Sequence, residues 1–146
     1  MDEREGYDIA EFLPYLLNIA AESAGYGFQK HYKDRYGLLR AEWRVLFHLG
    51  GYGDMTAREI CDRSRTHKTK ISRAVGALAA RRFITRTRLE SDRRQEMLAL
   101  TKTGGAVYRD LIGLAKAYDR KLMARFTADE QFVLRDCLKR LAFREA

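Results

Sequence analysis

Arg63-Ser64-Arg65-Thr66-His67-Lys68-Thr69-Lys70-Ile71-Ser72-Arg73-Ala74-Val75-Gly76-Ala77-Leu78 is the stretch around which the rest of the chain can be read. At about 100° per residue, Ile71, Val75 and Leu78 share one side of a helix, with Ala74 on the flank. Thr69, Arg73, Gly76 and Ala80 take the opposite side, with Lys70 and Ala77 on one shoulder and Ser72 on the other. One face is therefore core. The other is basic and hydroxyl-bearing at its N-terminal end and bare of bulk further along. Such a helix can lie deep in a DNA major groove, its first turns nearest the base edges. It can equally be an ordinary solvated basic helix, and the neighbouring segments have to decide.

Upstream, Thr56-Ala57-Arg58-Glu59 reads as a capping box, with Met55 and Ile60 at the two positions of a hydrophobic staple. A short helix over residues 57–62, a brief Arg/Ser turn and then the basic helix, with Thr66 as its cap, make a helix-turn-helix. Downstream of Arg81-Arg82, residues 83–89 carry β-branched residues and alternate Thr85, Thr87 and Leu89 against Arg86 and Arg88. Glu96-Met97-Leu98-Ala99-Leu100 is the returning strand, and Glu90-Ser91-Asp92-Arg93-Arg94-Gln95 is a compact charged turn between them. A two-stranded ribbon directly after a helix-turn-helix is a wing.

Charge is confined in the same way. The chain of 146 residues carries a net +8, yet residues 56–109 alone hold 14 Lys and Arg against five Asp and Glu, a net +9. A polyanion-binding module set between near-neutral flanks is the simplest account. Those flanks read as helices. Pro14 suits a first helical turn, and Leu13, Leu17, Ala20, Ala24, Phe28 and Tyr32 recur at helical spacing until Gly37. Residues 1–12 read as a poorly fixed acidic lead. Residues 40–49 form a second helix, and Gly50-Gly51-Tyr52-Gly53-Asp54 a turn cluster. After the wing, Thr101 or Thr103 caps a helix with the stripe Val107, Leu111, Leu114, Tyr118 and Leu122. Thr127-Ala128-Asp129-Glu130 is a second capping box, opening a last helix with Phe132, Val133, Cys137, Leu138 and Leu141. So long an apolar stripe on the first helix requires a partner surface, which points to oligomerisation.

The order of elements, with Glu42-Trp43-Arg44-Val45-Leu46, Lys68-x-x-Ile71-Ser72-Arg73, Asp92-Arg93-Arg94 and Leu100-Thr101-x-x-Gly104, resembles the MarR family of winged helix-turn-helix regulators. The resemblance runs over about residues 38–104 and implies a mainly α fold with a small two-stranded β wing. One domain, 1–146, is expected, with residues 8–37 and 105–146 supplying dimerisation helices around the 38–104 DNA-binding region. It further implies a homodimer on a pseudo-palindromic operator, with repression relieved by a small effector, commonly an aromatic or phenolic acid. Carried onto this chain, the DNA-facing set is Arg65, Thr66, Lys68, Thr69, Lys70, Ser72 and Arg73, with Arg86, Arg88, Asp92, Arg93 and Arg94 on the wing. There Asp92 is expected to hold a wing arginine in place or to stabilise its own turn. Tyr15, Tyr36, Trp43 and His48 are the candidate effector residues, against a plain packing role for each. The family pattern is broken at Leu39, where a capping threonine is usual, and at His67, where an aspartate or another cap is common. It is broken again at Arg82, which replaces the glycine that ends the recognition helix, so a different helix ending is expected.

Other classes find little support. His31, His48 and His67 are scattered, Cys61 and Cys137 lack metal-ligand spacing, and both cysteines read as core or interface residues. No nucleophile–base pair or phosphate loop is apparent, so neither an enzyme, a metal nor a cofactor is expected. No apolar run approaches the roughly 20 residues of a membrane span, and a cytoplasmic location is inferred. A sequence-indifferent architectural DNA-binding protein is the main alternative, and an RNA or anionic-membrane binder a more distant one.

Overall fold

The structure, a computed structural model, describes residues 6–143. The acidic residues 1–5 of the expected lead lie outside these. Residues 8–12, read as unfixed, instead form a 3-10 turn, Ile9–Glu11, because the Asp8 carboxylate accepts the Ala10 N–H at 2.9 Å. Helix α1 follows as Leu13–Tyr36, with proline in its first turn, and Gly37 ends it in the left-handed conformation at φ 65°.

Helix α2 is Arg40–Tyr52. Leu39 offers no side-chain cap, but Glu42 reaches back to accept the Leu39 N–H at 3.4 Å, so half of a capping box starts the helix. Gly50, Gly51 and Tyr52 are helical rather than a turn. The reason is tertiary. A methyl group at Gly50 would overlap the Tyr108 ring, so this glycine lets α2 and a later helix approach closely. A local turn signal was in fact a packing signal.

Met55–Thr56 forms a short strand, β1, before helix α3, Ala57–Ser64. Thr56 caps α3 by accepting the Glu59 N–H at 3.2 Å, while Met55 and Ile60 are both buried. Helix α4 is Lys68–Ala80, and strands β2, Ile84–Arg88, and β3, Glu96–Leu100, form the wing ribbon. The sheet has three strands rather than two, in the order β1-β3-β2, all antiparallel, with Met55 opposite Leu98 and Thr56 opposite Met97. The extended backbone that an N-cap and its predecessor need is also strand geometry, so one short segment serves both. Helix α5, Lys102–Met123, is capped by Thr101, and α6, Ala128–Ala142, by the complete Thr127/Glu130 box.

The core gathers where α2, α3, α4 and α5 meet the sheet. Leu46, Ile60, Ile71, Leu78, Leu98 and Leu111 are fully buried there, each contributing about 1.5–3 kcal/mol relative to exposure. The second half of α1 joins it through Phe28 and Tyr32. The first half of α1 and all of α6 do not: Leu13, Leu16, Ile19, Phe132, Val133 and Leu141 stay exposed. Among the described residues, no helix is long and apolar enough to cross a membrane.

Candidate nucleic-acid interface and ligand cleft

Helix α4 carries its apolar residues inward as its periodicity requires, with Ile71, Ala74, Val75 and Leu78 buried. Lys68, Thr69, Lys70, Ser72 and Arg73 are exposed on its first two turns, and nothing lies within 4 Å of where a Cβ on Gly76 would sit. The cap is His67, whose Nδ1 accepts the Thr69 N–H at 3.1 Å, and not Thr66 as expected. A ring nitrogen thus does the work of the usual aspartate without adding negative charge. It leaves the positive end of the helix dipole uncompensated, which favours an approaching anion.

The helix is bracketed by two arginines in left-handed backbone. Arg65, at φ 54°, closes α3, and Arg82, at φ 60°, follows α4. Around Arg82 the Phe83 N–H bonds to the Leu78 carbonyl and the Arg82 N–H to the Ala79 carbonyl, both at 3.0 Å. That is a Schellman ending with arginine in the glycine position. The helix therefore ends as a glycine would end it, against the expectation of a different finish. Strong local anchoring explains how: Thr101 donates its hydroxyl to the Arg82 carbonyl at 2.7 Å, and its N–H bonds to the Phe83 carbonyl at 3.0 Å. Gly104 is needed at the same joint, because a side chain there would collide with that Phe83 carbonyl.

On the wing, Arg86 is paired with Glu96 at 2.6 Å across the two strands, while Arg88 and Arg93 are exposed. Asp92 fulfils both roles foreseen for it. Its Oδ1 accepts the Arg94 backbone N–H at 3.1 Å and Arg94 Nε at 3.3 Å, and these bonds hold its carboxyl below the ordinary aspartate range. Arg94 remains 92% exposed. A shallow groove of about 210 Å³, lined in part by Arg58, Val75, Arg86 and Arg94, joins α3, α4 and the wing into one surface. Two of the expected DNA-facing residues sit less freely. Arg65 reaches the Ala142 carbonyl at 3.4 Å, and the half-buried Thr66 accepts Arg44 Nη1 at 2.9 Å while donating to the Ser64 carbonyl at 3.3 Å.

A second cleft, of about 270 Å³, opens between α1 and α2. Its walls are aromatic: Trp43 stacks on Tyr32 with ring centres 6.2 Å apart and stands 5.7 Å from Phe28 and 5.6 Å from Phe47. His48 lines it too, its Nδ1 2.7 Å from the Arg44 carbonyl. A carbonyl only accepts, so that nitrogen bears the proton. Arg40 and Arg44 bring two cations to the cleft. Arg40 is paired with Glu22 at 3.2 Å. Arg44 has no carboxylate within ion-pair distance among the described residues, and burial, then the Arg40 charge, hold its guanidinium below the ordinary arginine value. Burial likewise raises the Tyr32 hydroxyl, against the pull of both arginines.

Of the effector candidates, the cleft collects Trp43 and His48 but neither Tyr15 nor Tyr36. Tyr15 lies exposed on the unpacked half of α1, and the Tyr36 hydroxyl donates to Asp110 on α5, beside Arg35. Phe28, Tyr32, Arg40, Arg44 and Phe47 were missed. The signal existed: Phe28/Tyr32, Trp43/Phe47 and Arg40/Arg44/His48 are i, i+4 sets, each on one helix face. Cys61 packs against the core, and its thiol is pushed up, first by burial, which works against a reactive thiolate.

A helix-turn-helix joined to a β wing, with the chain's positive charge gathered on that unit, defines a DNA-binding regulator rather than an enzyme. The sequence model of the MarR family matches residues 36–95, from the end of α1 through α2, α3, α4 and β2 to the wing turn. The chain is 25% identical over 96 residues to the HTH-type transcriptional regulator YwoH of Bacillus subtilis, covering 66% of this chain and 69% of that one. It resembles the solved MarR family regulator SPO1453 from Silicibacter pomeroyi, at 27% identity and TM-score 0.78 over 92% of this chain and 98% of the other. At 19% identity it shares the fold of Bordetella bronchiseptica BpsR, with TM-score 0.82 over 95% and 99% of the two chains. BpsR is a protein whose DNA binding is regulated by 6-hydroxynicotinic acid.

Proposed function

We propose that this regulator is a homodimeric repressor whose affinity for a pseudo-palindromic operator falls when a small aromatic acid enters the α1–α2 cleft. The observation that carries the reading is the division of exposed surface: a basic head at residues 38–104, and apolar faces without cover on the first half of α1 and on α6. Apolar patches of that kind are rarely left to water by a monomer. Paired through residues 8–37 and 105–146, two copies present two α4 helices for successive major grooves, about 34–36 Å apart. Lys68, Thr69, Lys70, Ser72 and Arg73 then meet bases and phosphates. Arg93 and Arg94 reach the minor groove, whose negative potential in A·T-rich sequence attracts arginine.

The cleft suits a flat ring between aromatic walls with its carboxylate on the arginine fork. The acid that regulates BpsR belongs to that class. Bound there, it shifts the population towards head positions incompatible with adjacent grooves. The site of action is then the cytoplasm. The test is a titration of matched and scrambled duplexes at one salt concentration, with the mass of the free protein read by sedimentation. Dimers at micromolar concentration and a preference of roughly 10³-fold or more are expected. Equal affinity for both duplexes would make the protein a sequence-indifferent DNA coat, and a stable monomer would leave the two apolar faces unexplained.

A further inference from the structure

The cleft and the reading helix share one side chain. Arg44 is one of the residues that line the cleft, and its guanidinium donates from Nη1 to Thr66 Oγ1 at 2.9 Å. Thr66 is the last residue before the His67 cap of α4 and holds the turn from both sides. Its N–H bonds to the Cys61 carbonyl at 3.2 Å and its hydroxyl to the Ser64 carbonyl at 3.3 Å. Without a carboxylate partner among the described residues, half-buried and beside Arg40, Arg44 is a cation held by a neutral hydroxyl alone. The bond to Thr66 is already charge-assisted through its donor, but a carboxylate offers the same guanidinium two parallel bonds and an opposite charge. A carboxylate in the cleft therefore outcompetes a single hydroxyl for the orientation of that guanidinium.

We propose that Arg44 is the positioning residue that couples the cleft to DNA, bonding Thr66 in the DNA-competent state and the ligand carboxylate in the released state. This rests on the reading that the cleft takes an aromatic acid, and it adds how occupancy is transmitted. When Arg44 turns to the carboxylate, the turn ahead of α4 loses its tie to α2. The cap at His67 and the cations at Lys68 and Lys70 then lose their fixed approach to the groove. Coupling is reciprocal: whatever weakens the Arg44–Thr66 bond must tighten ligand binding and loosen DNA binding.

The experiment uses 4-hydroxybenzoate, its neutral analogue 4-hydroxybenzamide, and a duplex selected by the wild-type protein from a random pool. Calorimetry gives ligand affinity for the free protein, and anisotropy gives DNA affinity with and without saturating ligand. In Thr66→Val the acid should bind roughly threefold to tenfold tighter, the span of one hydrogen bond. DNA affinity without ligand should fall, and the ligand-induced change in DNA affinity should shrink towards one. Thr66→Ser should restore wild-type values. A purely structural role for Thr66 would weaken DNA binding yet leave ligand affinity and the ligand-induced change untouched, and that result overturns the proposal. A check without mutation is the amide, which should not release DNA; release as effective as by the acid also overturns it. Failure of the wild-type protein to bind 4-hydroxybenzoate at all, with selective DNA binding intact, removes the aromatic-acid reading of the cleft and this coupling with it.

Discussion

Replacing Arg82 with glycine should stabilise the protein. Arg82 holds φ at 60°, where a side chain costs about 1–2 kcal/mol. Glycine removes that cost but loses more freedom on folding, about 0.5–1 kcal/mol. The difference leaves a net gain of about 0.5–1 kcal/mol, provided the side chain itself contributes little. It is exposed and makes no ion pair among the described residues, and the bonds at this joint use its backbone carbonyl and N–H, which glycine keeps. For a chain of this size the midpoint of thermal unfolding should rise by roughly 1–4 °C. Arg82→Ala is the control, since it removes the guanidinium and keeps the strain. Melts of the three proteins under identical buffer decide the matter. If Arg82→Gly is no more stable than Arg82→Ala, backbone strain at this joint has been misjudged and the Schellman assignment with it.

His67→Asp should strengthen the α4 cap, raising stability by about 0.5–1 kcal/mol in urea melts. The same carboxylate beside the phosphates should weaken DNA binding several-fold, so stability and affinity move in opposite directions. Gly104→Ala should cost about 2–3 kcal/mol by overpacking, because the obstacle is the Phe83 backbone rather than a movable side chain. Chemical denaturation reads it, and a loss below 1 kcal/mol would mean the joint yields. Arg94→Ala should weaken DNA binding and flatten the dependence of log affinity on log salt by about one unit if this arginine neutralises one phosphate. An unchanged slope would remove it from the phosphate contacts.

Most of the secondary structure was legible because its signals are local. Thr127 and Glu130 announce their helix by side chains that satisfy each other's backbone, and the structure contains both bonds. The alternation of residues 84–88 and 96–100 needs only its own period to declare a ribbon. What escaped the sequence depends on distant partners. Gly50 looks like a turn residue until Tyr108, 58 positions later, is found against it. Strand β1 is two residues long and exists because β3 lies beside it. The cleft takes its walls from both α1 and α2, so sequence alone named Trp43 and His48 but not the arginines between and before them.

Pairing between β1 and β3 has a mechanical meaning. β1 is the doorstep of the helix-turn-helix and β3 is half of the wing, so the two parts proposed to read DNA are stitched into one gauge. A gauge measures a fixed length. One base pair inserted between the stretch under α4 and the stretch under the wing moves them about 3.4 Å apart along the duplex axis and roughly 35° around it. The β1–β3 pairing resists that separation. On the proposed reading, the length of each half-site is then set by two residue pairs, Met55 with Leu98 and Thr56 with Met97.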